Sequence, residues 1–138
     1  MIYETKGKYS IVCEDGNEKD YKESYIVEEA ETFADAELQT MEYIQVLSKT
    51  NLDVTDVKRS KAKEIANSRQ SDDDSIWIAE LMDIFLTDEG EEKTIKYKVF
   101  LFAKTFDAAK EFIAEYSKQG YDMCLVSLKL TKFVDVIK

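Results

Sequence analysis

Two similar stretches, AETFADAE at residues 30–37 and AKTFDAAK at residues 103–110, recur 73 positions apart in a chain of 138 residues. A chain that writes one helix start twice is constrained to build two like units, and reading one unit predicts the other. In each stretch a threonine, Thr32 or Thr105, stands where an N-cap hydroxyl accepts the free first-turn amides. Asp35 completes a short-armed capping box, and Asp107 places an acid in the first turn of the second copy. The phenylalanine that follows each threonine, Phe33 or Phe106, is expected to anchor the helix on a sheet. Phe33, Ala36, Thr40, Tyr43, Ile44 and Leu47 share one helical side, and Phe106, Ala109, Ile113 and Tyr116 share the equivalent one.

The likeness extends in both directions. Upstream, EDGNEK at residues 14–19 faces DEGEEK at 88–93, and each reads as a Gly-containing hairpin loop between strands. Tyr21, Tyr25 and Val27 alternate with polar neighbours, as do Ile95, Tyr97, Val99 and Leu101, the period of a half-buried strand. Downstream, residues 57–65 align without gaps to 128–136, each read as one further strand. Each copy thus runs strand, hairpin, strand, helix, strand, over about residues 3–65 and 77–136, within a single domain joined by the polar linker 66–75. The predicted class is α+β: an internally duplicated strand-strand-helix-strand unit, with a mainly antiparallel sheet and two helices packed on it. Residues 76–82 are apolar on both faces and predict a strand buried on both sides. Residues 3–8 are mixed and predict a peripheral strand.

Hydrophobic residues at 44% and aromatics at 12% are enough for a real core in a chain of this length. No apolar run reaches the roughly 18 residues of a membrane span, and MIYETKGKYSIV has no basic start followed by an apolar block. Cys13 and Cys124 lie far apart in strand-like sequence and read as buried thiols in a reducing cytoplasm. The net charge of −10 is evenly shared between the two halves of the chain. Even acidity repels a phosphate backbone at long range and argues against general nucleic-acid binding.

The order of these motifs resembles the family catalogued as domain of unknown function 4494. The resemblance runs from the strand-loop-strand opening and Tyr25-Ile26-Val27 through Ala30 and Thr32 to Glu37. It continues through Val54, Val57-Lys58-Arg59, Glu64-Ile65, the Trp77-led strand and the Asp88-Glu89 hairpin. It ends with Leu101, Ala103, Gly120-Tyr121, Thr131 and Asp135-Val136. It covers nearly the whole chain, although members often carry a longer tail and a more apolar first strand. It implies a small protein encoded by a phage or mobile element of gut bacteria, and supplies no catalytic residues.

Histidine is absent, which removes the commonest general base, the usual metal ligand and every Ser-His or Cys-His pair. Four glycines form no phosphate-cradling loop, and the two cysteines form no zinc pair. The chain is therefore read as no enzyme, with no cofactor or metal. Asp72-Asp73-Asp74 has the oxygen ligands for a divalent cation but not the spacing of a calcium loop, and reads as a solvated linker. The positive island Lys58, Arg59, Lys61 and Lys63, with Lys129 and Lys132 from the second copy, has two readings. It could hold a phosphate-bearing ligand, or it guards sheet edges with lysines. Tyr3, Tyr9, Tyr21, Tyr25, Tyr97 and Trp77 could stack bases, or form core and cross-strand pairs.

The expected function is binding: a cytoplasmic accessory protein, oligomeric, that modulates a host or replication protein through its acidic surface. One alternative is a sponge for a small nucleotide signal beside Arg59, Lys61 and Lys132, an anti-defence role. A further alternative is single-stranded nucleic-acid binding through the tyrosines.

Overall fold

The computed structural model describes residues 1–46, 50–118 and 123–138. Leu47, Gly120 and Tyr121 lie outside the described residues. The elements are β1 (Tyr3–Val12), β2 (Glu18–Val27), α1 (Phe33–Val46), β3 (Thr50–Arg59), β4 (Ala62–Ile65), β5 (Ser75–Leu86), β6 (Glu92–Ala103), α2 (Phe106–Ser117), β7 (Met123–Leu130) and β8 (Phe133–Ile137). They form two mostly antiparallel sheets, each with one helix, in an α+β fold.

The first unit comprises Met1–Ser60 and Lys132–Lys138, and its sheet has the order β3-β1-β2-β8. β1 and β2 form a hairpin with Tyr3 opposite Val27 and Tyr9 opposite Tyr21. The left-handed turn it needs falls on Gly16, at φ 84°, where a side chain would strain the backbone. β3 flanks β1 antiparallel, and β8 flanks β2 in parallel. Tyr3, Tyr9, Tyr25, Val27, Ala36 and Ile44 pack between sheet and helix. At the base of α1 the Asp35 amide donates to Thr32 Oγ1 at 3.0 Å, while the Asp35 carboxylate accepts from the Glu31 amide at 3.2 Å. The capping box thus closes one residue earlier than its usual form.

The second unit is Lys61–Thr131, with the sheet order β4-β6-β5-β7. β5 and β6 form the hairpin, its turn on Gly90 at φ 82°; β7 flanks β5 antiparallel, and β4 flanks β6 in parallel. Trp77, Leu81, Val99, Leu101, Ala109 and Ile113 fill the space under α2. Thr105 caps that helix by accepting from the Ala108 amide at 3.1 Å. The indole of Trp77 donates to the Ala103 carbonyl at 3.0 Å, so its one polar atom is satisfied inside the core.

The two sheets share one connectivity, and its last strand differs from the sequence reading. Residues 57–65 and 128–136 are each two strands, not one. β3 ends in the first sheet and β4 pairs in the second; β7 ends in the second and β8 pairs in the first. The break falls on a hydroxyl residue both times. The Ser60 amide donates to the Ile2 carbonyl at 2.9 Å, and the Thr131 amide to the Ile76 carbonyl at 3.0 Å. The Thr131 hydroxyl reaches the same carbonyl at 2.6 Å.

Three further expectations need correction. β1 is not peripheral: it lies between β3 and β2, with Tyr3, Thr5, Gly7 and Tyr9 buried. Its polar look comes from alternation, which sends Lys6 and Lys8 to the other face, and from Thr5, whose buried hydroxyl bonds that of Thr40 at 2.8 Å. Phe33 and Phe106 do not bury themselves on the sheet, being 56% and 49% exposed. Each instead sets an edge against a core ring, Tyr3 at 5.2 Å and Trp77 at 6.0 Å between centroids. Cys13 is half-buried and Cys124 exposed, both free, so neither is a buried thiol. β5 fits its prediction best near its start, where Ile76 and Trp77 are both buried.

Candidate functional site

Lys58 and Arg59 end β3, an edge strand of the first sheet, and Lys63 and Lys129 lie on β4 and β7, the two edges of the second. Lys61 and Lys132 occupy the short crossings just before β4 and β8. Lys58, Arg59 and Lys132 thereby belong to the first unit, and Lys61, Lys63 and Lys129 to the second. Charged side chains along an edge keep foreign strands away, and four of the six stand in that position.

Within the first unit Lys58 and Lys132 do meet. With Lys6, Glu4, Asp56 and Ser24 they line a cleft of about 50 Å³, and Lys58 Nζ lies 3.7 Å from Glu4 Oε1. Small-molecule pockets commonly hold about 300–1,000 Å³, so this cleft has room for one anionic group and not for a nucleoside. In the second unit Lys63 places its ammonium 4.7 Å above the Tyr97 ring, a cation–π contact. Burial, with Asp83 and Glu64 nearby, raises the Tyr97 pKa.

The other sequence candidates are occupied with structure. Asp74 is buried and accepts from the Gln70 and Ser71 amides at 2.7 and 3.1 Å, stapling the loop before β5. Tyr9 stacks on Tyr21 at 5.4 Å across the hairpin, and Tyr25 packs edge-on against Tyr43. Tyr9 and Tyr25 each donate to Glu23, one to either carboxylate oxygen, at 2.6 and 2.7 Å. Burial first, then these bonds, raises both tyrosine pKa values well above the ordinary range. Of the six rings proposed for base stacking, Tyr3, Tyr9, Tyr25 and Trp77 are buried.

A site that the sequence did not suggest lies on the second unit. Glu64 and Ala66 at the end of β4 face Phe112, Glu115 and Tyr116 of α2 around an open concavity of about 490 Å³. Phe112 and Tyr116 are one helical turn apart and stack at 6.3 Å with 25° between planes. The Tyr116 hydroxyl donates to Glu64 Oε1, which fixes the ring against the strand. Burial and that bond hold the Tyr116 proton tightly. Glu115 carries a surface ion pair with Lys118 at 3.0 Å, worth little in water and readily exchanged. Two carboxylates and two parallel rings around one hollow attract a cation with an apolar stem, and an arginine or lysine side chain has that form. The signal for it was an aromatic pair at i and i+4 bracketing Glu115; its third wall, Glu64, lies too far away in sequence to be placed beside them.

No helix among the described residues is long and apolar enough to cross a membrane. A family model described as a domain of unknown function, DUF4494, matches residues 1–138. No curated protein and no solved structure matches the chain.

Proposed function

We propose, on the premise that this chain belongs to the DUF4494 family, that it works by binding and not by catalysis, holding a basic protein surface against its second unit. The observation that carries this reading is the hollow walled by Glu64, Phe112, Glu115 and Tyr116. The net charge of −10 supports it, because long-range attraction speeds encounter with a positive partner. A chain without histidine has little catalytic equipment to set against it. In this reading the partner is a host or replication protein in the bacterial cytoplasm, and the chain is an accessory of a phage or mobile element. The shared connectivity of the two sheets supports descent of both units from one ancestral copy.

The test is retention of host proteins by the immobilised chain, compared with Glu115→Lys and Phe112→Ala variants. The expected result is a basic protein held by the wild type, released by added salt, and lost roughly ten-fold or more by both variants. Equal retention by the variants, or none above background by the wild type, overturns the proposal. Unchanged melting temperatures show that the variants remain folded.

A second reading, capture of a phosphate-bearing small molecule as an anti-defence sponge, has the convergence of Lys58 and Lys132 in its favour. Thermal shifts with inorganic phosphate and with cyclic and linear nucleotides test it, since a ligand of the native state raises the melting point. Silence across that panel removes it. Single-strand binding through the tyrosines has the least support, because most of those rings are buried.

A further inference from the structure

Alternation along β1 and β2 sends Tyr9 and Tyr21 to one face of the first sheet, and Lys8, Ser10, Asp20 and Lys22 to the other. There Lys8 stands directly opposite Lys22, and Ser10 opposite Asp20. With Asn51 of β3 they line an open hollow of about 330 Å³, at the lower end of the range for small-molecule pockets. The floor of the hollow is fixed. Ser10 is only 4% exposed, and its hydroxyl donates to Asp20 Oδ1 at 2.6 Å and accepts from Asn51 Nδ2 at 3.3 Å. A bulge brings Asn51 there: β3 takes three steps between Asp53 and Thr50 against two between Lys8 and Ser10 on β1. Its φ of 53° is the one left-handed value at a non-glycine among the described residues. Backbone of that kind costs energy and collects at ligand sites.

Two like charges set directly opposite on a hairpin are destabilising. Such partners lie about 4.5–5.5 Å apart at Cβ, so both ammoniums can reach one anion. Asp53 is the β3 partner of Lys8, yet among the described residues neither Lys8 nor Lys22 makes an ion pair. We propose that this hollow binds a small phosphate monoester carrying hydroxyl groups, a sugar phosphate in class. A monoester carries a charge of about −1.5 to −2 at neutral pH, which matches the two ammoniums. Lys8 and Lys22 hold the phosphoryl oxygens by charge-assisted hydrogen bonds. Asp20, with one oxygen committed to Ser10, accepts from a ligand hydroxyl with the other, and the Asn51 amide adds a second polar contact. Asp20 also selects the class, because its charge repels the second acid of a dicarboxylate and favours a hydroxyl beside it. The site shares no residue with the Glu64–Tyr116 hollow or the Lys58–Lys132 cleft, so it stands or falls apart from both.

Calorimetric titration of the full chain at low ionic strength tests the site, with ribose phosphate, inorganic phosphate, ribose and succinate as probes. Ribose phosphate is expected to bind, inorganic phosphate roughly ten-fold or more weakly, and ribose and succinate without measurable heat. Lys8→Gln and Lys22→Gln should each weaken ribose phosphate roughly ten-fold or more. Both should melt no lower than the wild type, because each relieves the like-charge pair. Asp20→Asn, which removes the repelling charge, should let succinate bind. Lys132→Gln, in the other cleft, should change nothing. No heat from ribose phosphate overturns the proposal, as does binding that survives both lysine variants or is lost in Lys132→Gln. Inorganic phosphate or succinate that matches ribose phosphate on the wild type overturns it too, by denying the hydroxyl contacts or the role of Asp20.

Discussion

The Cδ1 methyl of Ile44 in α1 fills the space that a Cβ on Gly7 would occupy. Gly7→Ala should therefore destabilise the protein by about 1–3 kcal/mol through overpacking. Adding Ile44→Val, which removes that methyl, should restore part of the loss. Urea unfolding of the two single variants and the double gives the coupling, and strict additivity would show that the residues do not compete for space.

The strands that cross between units are tied down alike. Tyr43 of α1 donates to Asp135 of β8 at 2.8 Å, and Tyr116 of α2 donates to Glu64 of β4. Hydrogen bonds to charged acceptors contribute about 1.5–3 kcal/mol when shielded, less when open to water. Tyr43→Phe should cost about 1–2 kcal/mol by that measure and should raise hydrogen exchange in β8 beyond the loss expected from global stability. Exchange that rises evenly over the whole chain would deny the bond a local role.

These elements were unequally legible in the sequence. The helix caps at Thr32 and Thr105 and the hairpin glycines were readable because their causes are local: a hydroxyl next to free amides, and a left-handed turn. The lysine run was readable as an edge, since charge on a strand has few other structural uses. Its division between two units was not. The strand-like pattern of residues 57–65 passes through Ser60 without interruption, and which sheet each half joins is decided by partners far along the chain. The central place of β1 was hidden for a related reason. Thr5 and Gly7 look unfit for a core until Thr40 and Ile44 are brought over them. The Glu64–Phe112–Tyr116 hollow joins positions that only tertiary structure makes neighbours.

Alkaline pH should expose the Glu23 cluster. The ordinary tyrosine value is 10.0, and burial followed by the bonds to Glu23 raises Tyr9 and Tyr25 well above it. In the unfolded chain these hydroxyls lose their protons near pH 10, whereas in the folded chain they keep them. The unfolded state then binds fewer protons, so stability is full below pH 10 and falls above it. The slope is at most about 1.4 kcal/mol per pH unit for each retained proton. Tyrosinate absorbance followed with circular dichroism should show a late ionisation step that coincides with unfolding. Completion of all tyrosine ionisation before any loss of structure would contradict this account.

Asn67 acts as a further residue of β4 after the strand itself has ended. Its side-chain amide donates to the Phe102 carbonyl at 3.0 Å, and its side-chain oxygen accepts from the Phe102 amide at 2.7 Å. Phe102 is buried, and its ring takes the Arg69 guanidinium at 4.9 Å. Without the side chain at position 67, a donor and an acceptor on β6 lose their protein partners where water has poor access. Leaving such a group unsatisfied costs about 1–3 kcal/mol. Asn67→Ala should thus cost about 2–4 kcal/mol after partial relaxation, with accelerated exchange of the Phe102 amide. Asn67→Asp keeps the acceptor for the Phe102 amide but sets a carboxylate oxygen against the Phe102 carbonyl, so it should leave that amide protected whatever stability it costs. If the two variants expose the amide equally, the side chain acts through loop conformation and not as a surrogate for the strand.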